Sequence, residues 1–429
     1  MKKATQQFKW VSVLAITLMF DCLSPDQTLA DILAAHIFEN RVSRLDESTG
    51  LPVAGADVPS GEAGLFFPSG LTIGPDGNMY VSSQLTGEIL FYDGATGDPL
   101  PSPELGGRDG LFATLGMGAT PGLLRFGPDS NLYVADTGVE NVRILNGTTG
   151  AAIGNAVSDG TLASPGFAIG LGFTPEGELL VSKSSPIFQS SIYVVDDLGN
   201  ATEIVAPGTA GLQAINSMLV GPSGELLVVD LFGNQIVRFD DTLGTNPQQF
   251  ALIPPEIEFP LPPGAGFPSN FPSDMAFASS GDLLVGVLGL TNPLSGGDNR
   301  GALLRYDLEG NLLQTIAMNL SPVSAIAISV PFLEGDVDGD GDVDFQDFLL
   351  LQVGFGITSG AQQSDGDLDG DGDVDFQDFL ILQANFGSGG DSTLAAAAVS
   401  TTAVPEPSTL SLAIAAILMV TITAWRRSS

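Results

Sequence analysis

Residues 68–81 read PSGLTIGPDGNMYV, and residues 121–134 read PGLLRFGPDSNLYV. Weaker copies of the same turn and following strand occur further along the chain. The central turn residues lie at positions 77, 130, 177, 224 and 281, so they are 53, 47, 47 and 57 residues apart. A period of about fifty residues with variable insertions indicates a repeat architecture, in which each unit is one supersecondary motif.

Each unit is predicted to contain four short strands. Apolar residues alternate with a period of two, which favours strands and excludes helical solenoids. The first unit predicts strands near residues 70–74, 78–83 and 88–93, followed by a fourth. The third-strand pattern returns at residues 142–146, 192–196, 236–240 and 303–307. Four antiparallel strands per unit of this length predict the blade of a β-propeller.

Five full units leave a fragment at each end of this region. Residues 322–328 match the innermost strand of a blade, whereas residues 31–38 and 40–46 match the next two. Joined, the fragments predict a sixth blade, which gives a six-bladed β-propeller over residues 31–331. Such closure removes exposed sheet edges. The spacing and the Asp-Gly and Leu-Tyr-Val themes resemble NHL-repeat propellers and the related TolB-like and gluconolactonase-like families, a resemblance that implies a fold and not a function.

Long insertions are predicted to gather on one face of the propeller. In a four-stranded meander, the loops between second and third strands and the connections between blades share a face. We assign the insertions at 98–120, 183–190, 253–272 and 286–299 to that face. It is the candidate binding surface, although loops also tolerate insertions without any function.

The segment after the propeller contains a twelve-residue motif twice, at residues 336–347 and 367–378. Both copies have the pattern of EF-hand calcium loops, with carboxylates at positions 1, 3, 5, 9 and 12, glycine at position 6 and a backbone carbonyl at position 7. The predicted metal residues are Asp336, Asp338, Asp340, Asp342, Asp344, Asp347, Asp367, Asp369, Asp371, Asp373, Asp375 and Asp378. We expect two Ca²⁺ ions, whose binding offsets the repulsion between crowded carboxylates and orders the segment.

A helix is predicted after each loop, over residues 345–355 and 376–386, with glycine as the stop at positions 356 and 387. Val343 and Val374, at position 8 of the loops, are expected to pair with each other as a short β-bridge. This unit of loop and exit helix, repeated over residues 334–387, resembles a dockerin module. The resemblance implies docking to a cohesin-like partner, but Phe345-Gln346 and Phe376-Gln377 occupy the positions that carry cohesin choice in that family.

Composition excludes several classes of function. The 429 residues contain 14 Lys and Arg against 50 Asp and Glu, for a net charge of −36. Such an acidic surface repels phosphate backbones, so nucleic acid is not an expected partner. The chain has one cysteine, Cys22, and one histidine, His36, which excludes disulfides and multi-histidine zinc sites.

Both chain ends are predicted to be processing segments. Residues 1–30 combine early lysines, an apolar run and small residues before a cleavage point, which indicates a secretory signal peptide. Residues 404–429 contain Val-Pro-Glu-Pro, a short apolar run and two arginines, and they resemble a PEP-CTERM sorting signal. That resemblance implies exosortase-type machinery, transient anchoring in the inner membrane, and delivery to the outer cell surface or extracellular matrix. A plain membrane anchor is the alternative, and residues 388–403 are a predicted flexible linker.

Three functional classes follow from these features. The favoured interpretation is a non-enzymatic surface protein, in which a propeller platform binds a surface polysaccharide or protein and a calcium-dependent module docks. The alternative is a metal-dependent, lactonase-like hydrolase, since Asn216 and Asp274 precede predicted inner strands at the places where gluconolactonase-like propellers hold an axial metal. A purely structural matrix component is the third class. No catalytic residue is assigned.

Overall fold

The computed structural model describes residues 30–54, 57–104, 106–158, 160–162, 167–185, 189–253, 271–289, 301–329, 335–337, 343–358, 361, 365–368 and 372–387. The predicted signal peptide, linker and sorting segment lie outside the described residues, apart from Ala30. Neither of the two helices within the described ranges has the length and apolar character that a bilayer crossing requires.

Most of the described chain consists of short strands, each of which begins or ends at a tight turn. In chain order they are β1 (Asp31–His36), β2 (Arg41–Asp46), β3 (Pro68–Ile73), β4 (Met79–Ser83), β5 (Glu88–Tyr92), β6 (Leu111–Thr114), β7 (Pro121–Phe126), β8 (Leu132–Asp136), β9 (Asn141–Leu145), β10 (Ala152–Asn155), β11 (Phe167–Phe173), β12 (Leu179–Ser184), β13 (Ser190–Val195), β14 (Ala201–Val205), β15 (Ile215–Val220), β16 (Leu226–Asp230), β17 (Gln235–Phe239), β18 (Gln248–Leu252), β19 (Pro272–Phe277), β20 (Leu283–Val287), β21 (Gly301–Tyr306), β22 (Leu312–Leu320) and β23 (Val323–Ser329). Two helices follow, α1 (Phe345–Gly354) and α2 (Phe376–Asn385).

The strands form six antiparallel sheets, which confirms the predicted six-bladed propeller. Blades 1 to 5 are the four-stranded meanders that begin with β3, β7, β11, β15 and β19, and blade 6 has the order β2-β1-β23. The innermost strands contact their neighbours in that order around the ring, and β23 returns to contact β3. Apolar side chains pack between adjacent blades, as in the cluster that joins Leu33 of blade 6 to Leu71 of blade 1.

Blade 6 closes the ring by joining the two ends of the propeller, as predicted. β1 pairs with β23 on one side and with β2 on the other, in registers that run from Asp31 opposite Ser329 to His36 opposite Val323. The central strand is almost fully buried between them. The outer edge of β2 is partly covered, because Val58 and Pro52 form isolated bridges with it. Ring closure therefore needs residues nearly 300 positions apart.

The two faces of the propeller differ in their loops. The hairpin face carries the turns between first and second strands and between third and fourth strands, whereas the connection face carries the other loops. Part of one predicted insertion does not lie on the connection face. Leu100 and Gly110 are joined by a backbone hydrogen bond, and both also bond to the backbone of Phe91 on the neighbouring strand. Residues 101–109 therefore interrupt the outermost strand of blade 1. The connection face therefore receives only the later part of the 98–120 insertion.

In most blades, a polar residue at the end of the second strand forms hydrogen bonds with the connection that precedes the innermost strand. In blade 6, His36 bonds through Nδ1 to the Ser321 carbonyl at 3.0 Å and through Nε2 to the Ser43 hydroxyl at 2.7 Å. In blades 2 and 4, the carboxylates of Asp136 and Asp230 accept the N–H of Thr120 and Ala214 respectively. The connection face is thereby tied to the sheets beneath it.

The protonation of His36 should make ring closure depend on pH. Desolvation by burial lowers the pKa of His36 below its ordinary value of 6.5 and outweighs the hydrogen bond to Ser321. The folded state therefore favours the neutral ring, whose stabilisation is fully present above about pH 6.5 and declines as the pH falls toward the folded pKa. The difference in unfolding free energy between wild type and His36→Gln, measured with urea, should shrink by ~1 kcal/mol from pH 7.5 to 5.5. An unchanged difference would contradict this role.

Candidate functional site

The two helices after the propeller begin at identical caps. Asp344 precedes α1, and its side chain accepts the N–H of Gln346 at 2.6 Å. Asp347 completes a capping box with Asp344. The side chain of Asp344 accepts the backbone N–H of Asp347, and the side chain of Asp347 accepts the backbone N–H of Asp344. Asp375, Gln377 and Asp378 repeat this arrangement at the start of α2. The same aspartates that were predicted as calcium ligands therefore also begin the helices.

The aspartate at position 12 draws the two ends of its loop together. One carboxylate oxygen of Asp347 accepts the N–H of Val337 at 2.6 Å, and the other accepts the N–H of Asp344 at 2.6 Å. In the second loop, Asp378 accepts from Leu368 at 2.7 Å and from Asp375 at 2.7 Å. Both aspartates are almost fully buried. The repeated sequence thus folds into a repeated geometry.

Three described carboxylates of the second loop lie close enough together to suit a calcium ion. Carboxylate oxygens of Asp373, Asp375 and Asp378 all lie within 4.8 Å of one another. Oxygens that coordinate one Ca²⁺ ion at about 2.4 Å are at most ~4.8 Å apart, so this spacing is compatible with a shared ion. Of the three, Asp378 at position 12 is the predicted direct ligand, whereas position 7 is predicted to bind through its carbonyl and position 9 through water. Hard carboxylate oxygens are also the ligand type that calcium prefers.

The remaining predicted ligands divide between described and undescribed positions. Asp367 is buried, and its carboxylate accepts the N–H of Gly372, which bends the loop back at position 6. In the first loop, Asp336, Asp344 and Asp347 are described and Asp336 is buried. Outside the described residues lie Asp338, Asp340, Asp342, Asp369 and Asp371.

The predicted bridge between Val343 and Val374 is wrong. The backbone of Val374 exchanges hydrogen bonds with Gly356 and Ile357, which follow α1, and the carbonyl of Val343 accepts from Gly387, which follows α2. Each loop therefore pairs with the segment after the helix of the other repeat. Both valine side chains are nonetheless buried in the core shared by α1 and α2.

Two glycines that the sequence analysis did not single out allow this exchange. Gly335 and Gly366 each stand immediately before a loop and have positive φ angles of 105° and 100°. A Cβ atom at Gly366 would lie 2.8 Å from the Cα of Leu351, and one at Gly335 would lie 3.2 Å from the Cα of Leu382. Their recurrence at position 0 of both repeats is the signal that could have identified them.

A buried ion pair crosses the axis of the propeller. Arg125 lies on the inner strand of blade 2, and its guanidinium donates to Asp274 of the opposite blade 5 at 2.8 Å. Asp274 is fully buried, and its carboxylate also accepts the N–H groups of Met275 and Ile326. Further donors of Arg125 reach the carbonyl of Leu71. The acceptor capacity of Asp274 is thus committed to the protein itself.

The axial residues do not fit the metal of the lactonase-like alternative. Asp274 and Asn216 lie inside the inner strands rather than before them, and the Asn216 amide donates to the carbonyl of Ser273 on the next blade. The guanidinium of Arg125 also places a positive charge beside Asp274, where it would repel a divalent cation. Arg125 was missed in the sequence analysis because nothing local connects it to a residue 149 positions away.

Comparison with known proteins identifies the segment after the propeller. Residues 334–387 match the dockerin type I domain. The dockerin-like resemblance is therefore confirmed over the predicted boundaries, and dockerin type I domains bind calcium. No curated protein matches the chain.

Solved structures show similarity to the propeller region in fold alone. A structure of a nidogen/laminin complex has 13% identity and a TM-score of 0.50, and the match covers 70% of this chain and 98% of that one. A protein of unknown function from Bacteroides caccae has 13% identity and a TM-score of 0.48, with 70% and 99% covered. A catalytically inactive virginiamycin B lyase from Staphylococcus aureus, with quinupristin, has 16% identity and a TM-score of 0.38, with 57% and 68% covered.

The axial ion pair should behave as one energetic unit. Arg125→Met alone leaves a buried carboxylate without its cation and should lower the unfolding free energy by about 3–5 kcal/mol. Combining it with Asp274→Asn should cost at least ~1 kcal/mol less than the sum of the single changes, as measured by a double-mutant cycle in urea. The exposed pair Arg41–Glu39 is the control, since Arg41→Met should cost at most ~1 kcal/mol. Additive losses at Arg125 and Asp274 would show that the pair is not coupled.

Proposed function

We propose that this chain is an exported, non-enzymatic surface protein, in which the propeller presents a binding face and the dockerin-like module attaches the protein through a calcium-dependent contact. The observation that carries the proposal is the module: a dockerin match over residues 334–387, with converging carboxylates in its second loop. The axis of the propeller supports the non-enzymatic part, because an internal ion pair occupies Asp274.

Two calcium ions are proposed, one in each loop. The ligands are the aspartates at positions 1, 3, 5 and 12 with the carbonyl at position 7, and the aspartate at position 9 acts through water. In the first loop these are Asp336, Asp338, Asp340, Asp342, Asp344 and Asp347, and in the second Asp367, Asp369, Asp371, Asp373, Asp375 and Asp378. The ions neutralise carboxylates that the helix caps bring together, so calcium would favour the folded module.

The docking surface is proposed to be the exposed side of each helix. Phe345, Leu349 and Val353 follow one another at intervals of four on α1 and are 55%, 44% and 86% exposed. Phe376 and Leu380 occupy the equivalent positions on α2. The only charged residues of the two helices are the buried aspartates at position 12. This chemistry suits a cohesin-like partner with an apolar docking surface, and the repeat offers two nearly equivalent faces.

The direction of the chain supports a division of labour between the two faces of the propeller. β23 ends on the hairpin face, and only residues 330–334 separate it from Gly335 at the start of the module. Attachment through the module would therefore hold the hairpin face toward the partner surface. The connection face would remain available for a second ligand.

Export and sorting complete the proposal. The signal peptide at residues 1–30 would direct secretion, and residues 404–429 would anchor the chain transiently until exosortase-type machinery acts at the Pro-Glu-Pro segment. The protein would then reside at the outer cell surface or in the extracellular matrix. An acidic, cysteine-free mature chain suits such an exposed location.

Binding to isolated cell envelopes tests the docking role. Phe345→Ser with Leu349→Ser removes one helix face, and Phe376→Ser with Leu380→Ser removes the other. Because the faces are equivalent, each pair alone should retain at least about half of the calcium-dependent binding, whereas all four changes should weaken it at least tenfold. Chelation of calcium by EGTA should have the same effect as the fourfold change.

The matched control is Leu198→Ser, which changes an exposed apolar residue of the propeller and should leave envelope binding unchanged. Full binding after deletion of residues 334–387 would contradict the docking role. That result would favour a purely structural matrix component.

A further inference from the structure

Exposed apolar side chains recur at one place in several blades of the propeller. The turn between second and third strands has four residues in blades 6, 1, 2 and 4. Its second residue is Phe38, Leu85 or Phe232 in three of them, and its third residue is Val139 in blade 2. Single exposed apolar residues need no explanation, but recurrence at an equivalent position around a ring does.

The connections between blades add two exposed apolar residues on the same face. Phe66 lies in the connection before β3, and Met117 lies in the connection before β7 with its side chain fully exposed. We name these residues the apolar collar. Its members are Phe38, Phe66, Leu85, Met117, Val139 and Phe232.

Neighbouring aromatic rings position two members of the collar, Phe38 and Phe232. Phe38 packs edge to face against Phe67 with ring centroids 5.7 Å apart, and Phe232 packs against Phe271 in the same way at 5.8 Å. Phe67 has a positive φ of 60°, a strained conformation for a bulky residue, and its N–H donates to Asn40 at 2.8 Å. The rings are thus positioned before any ligand arrives, which reduces the entropic cost of binding.

Charge is divided unequally between the two faces. The turns of the hairpin face carry acidic residues in every blade, among them Asp46, Asp76, Asp93, Asp129, Glu176, Asp196, Glu225, Asp240, Asp241, Asp282 and Asp307. In the described four-residue turns of the connection face, the acidic residues are Glu39 and Glu140, and the connection that contains Phe66 adds Asp57 and Glu62. Arg41 lies 2.6 Å from Glu39 and 3.7 Å from Asp57, so two of these four carboxylates are offset by a guanidinium. A cationic partner would therefore favour the hairpin face, and an uncharged apolar one would favour the collar.

The residue types of the collar favour a protein over a polysaccharide. Phenylalanine and methionine are enriched in the cores of protein interfaces, whereas Leu85, Met117 and Val139 offer no ring for a sugar to stack on. All five tyrosines of the chain lie in strands or their immediate ends, at positions 80, 92, 133, 193 and 306, and none belongs to the collar. We infer that the apolar collar docks an uncharged, apolar surface of a partner protein, a step that rests on the proposed platform role of the propeller.

A random twelve-residue peptide display library, selected against the full chain, tests this inference. Selected peptides should be apolar with a net charge near zero, and they should bind equally in calcium and in EGTA, because the collar does not belong to the calcium module. Phe38→Ser with Phe232→Ser should weaken their binding at least tenfold. Leu198→Ser with Leu243→Ser, two exposed leucines of the hairpin face, is the matched control and should leave binding unchanged.

Three outcomes would overturn the inference. Selection of basic peptides that bind regardless of the collar changes would place the binding surface on the hairpin face. Binding lost only in EGTA would place it on the docking module. The chain could instead be retained on a neutral, insoluble polysaccharide. If that retention is lost in the Phe38 and Phe232 variant but kept in the control variant, the ligand of the collar is a glycan. Failure of envelope docking alone would leave the collar result intact, so the two proposals are tested separately.

Discussion

The pairing of β1 with β23 is the constraint on which the rest of the propeller depends. Each blade can bury its faces only against two neighbours, and blade 6 exists only when the first and last strands of the region meet. Without that pairing, the row of backbone groups along β23 and the faces of blades 1 and 5 would be exposed. His36 contributes directly, because it links the end of β1 to the carbonyl that precedes β23. Closure also explains why the two ends of the propeller, Asp31 and Ser329, lie opposite each other at the hairpin face.

A closed ring brings distant residues together at its centre, and here the result is an ion pair rather than a site. Arg125 and Asp274 come from opposite blades, and the neighbouring backbone satisfies what remains of the carboxylate. A buried pair of this kind is a weak source of net stability, but loss of either partner is costly. A substitution of either Arg125 or Asp274 alone is therefore expected to lower the stability of the folded propeller. The proposed function accordingly assigns binding to the faces of the propeller and to the module that follows it.

The sequence predicted those features that depend on local pattern. The six blades, including the joined sixth blade, were predicted from the strand period, the turn residues and the fifty-residue spacing. These signals are reliable because the same local pattern recurs in each repeat. The two helices were predicted to end at Phe355 and Phe386, one residue beyond the observed ends, since the helical spacing of apolar residues and the glycine stops are local signals. The aspartate caps were predicted only as calcium ligands. The loop aspartates were predicted from their fixed spacing, and three of those in the second loop, Asp373, Asp375 and Asp378, have carboxylate oxygens within 4.8 Å of one another.

Features that depend on tertiary placement escaped prediction. Val343 and Val374 looked like partners because they occupy equivalent loop positions, but the packing of α1 against α2 directs each to the other repeat's exit segment. Arg125 lies in a strand whose equivalents carry small or apolar residues, and only the closed ring shows its partner. The apolar collar escaped notice because each member sits in an ordinary turn, and its recurrence has meaning only once the blades are arranged around an axis.

Calorimetric titration of Ca²⁺ into the full chain tests most directly the division into a calcium-ordered module and a metal-free propeller axis. The account predicts two bound ions in the wild type. It also predicts two in the control variant Asp98→Ala, which changes an exposed acidic residue of the propeller. It predicts none in the chain that carries Asp347→Ala and Asp378→Ala together. An ion that remains in the double variant and is lost when Asp274→Asn is added would contradict the account, because it would place a metal at the axis.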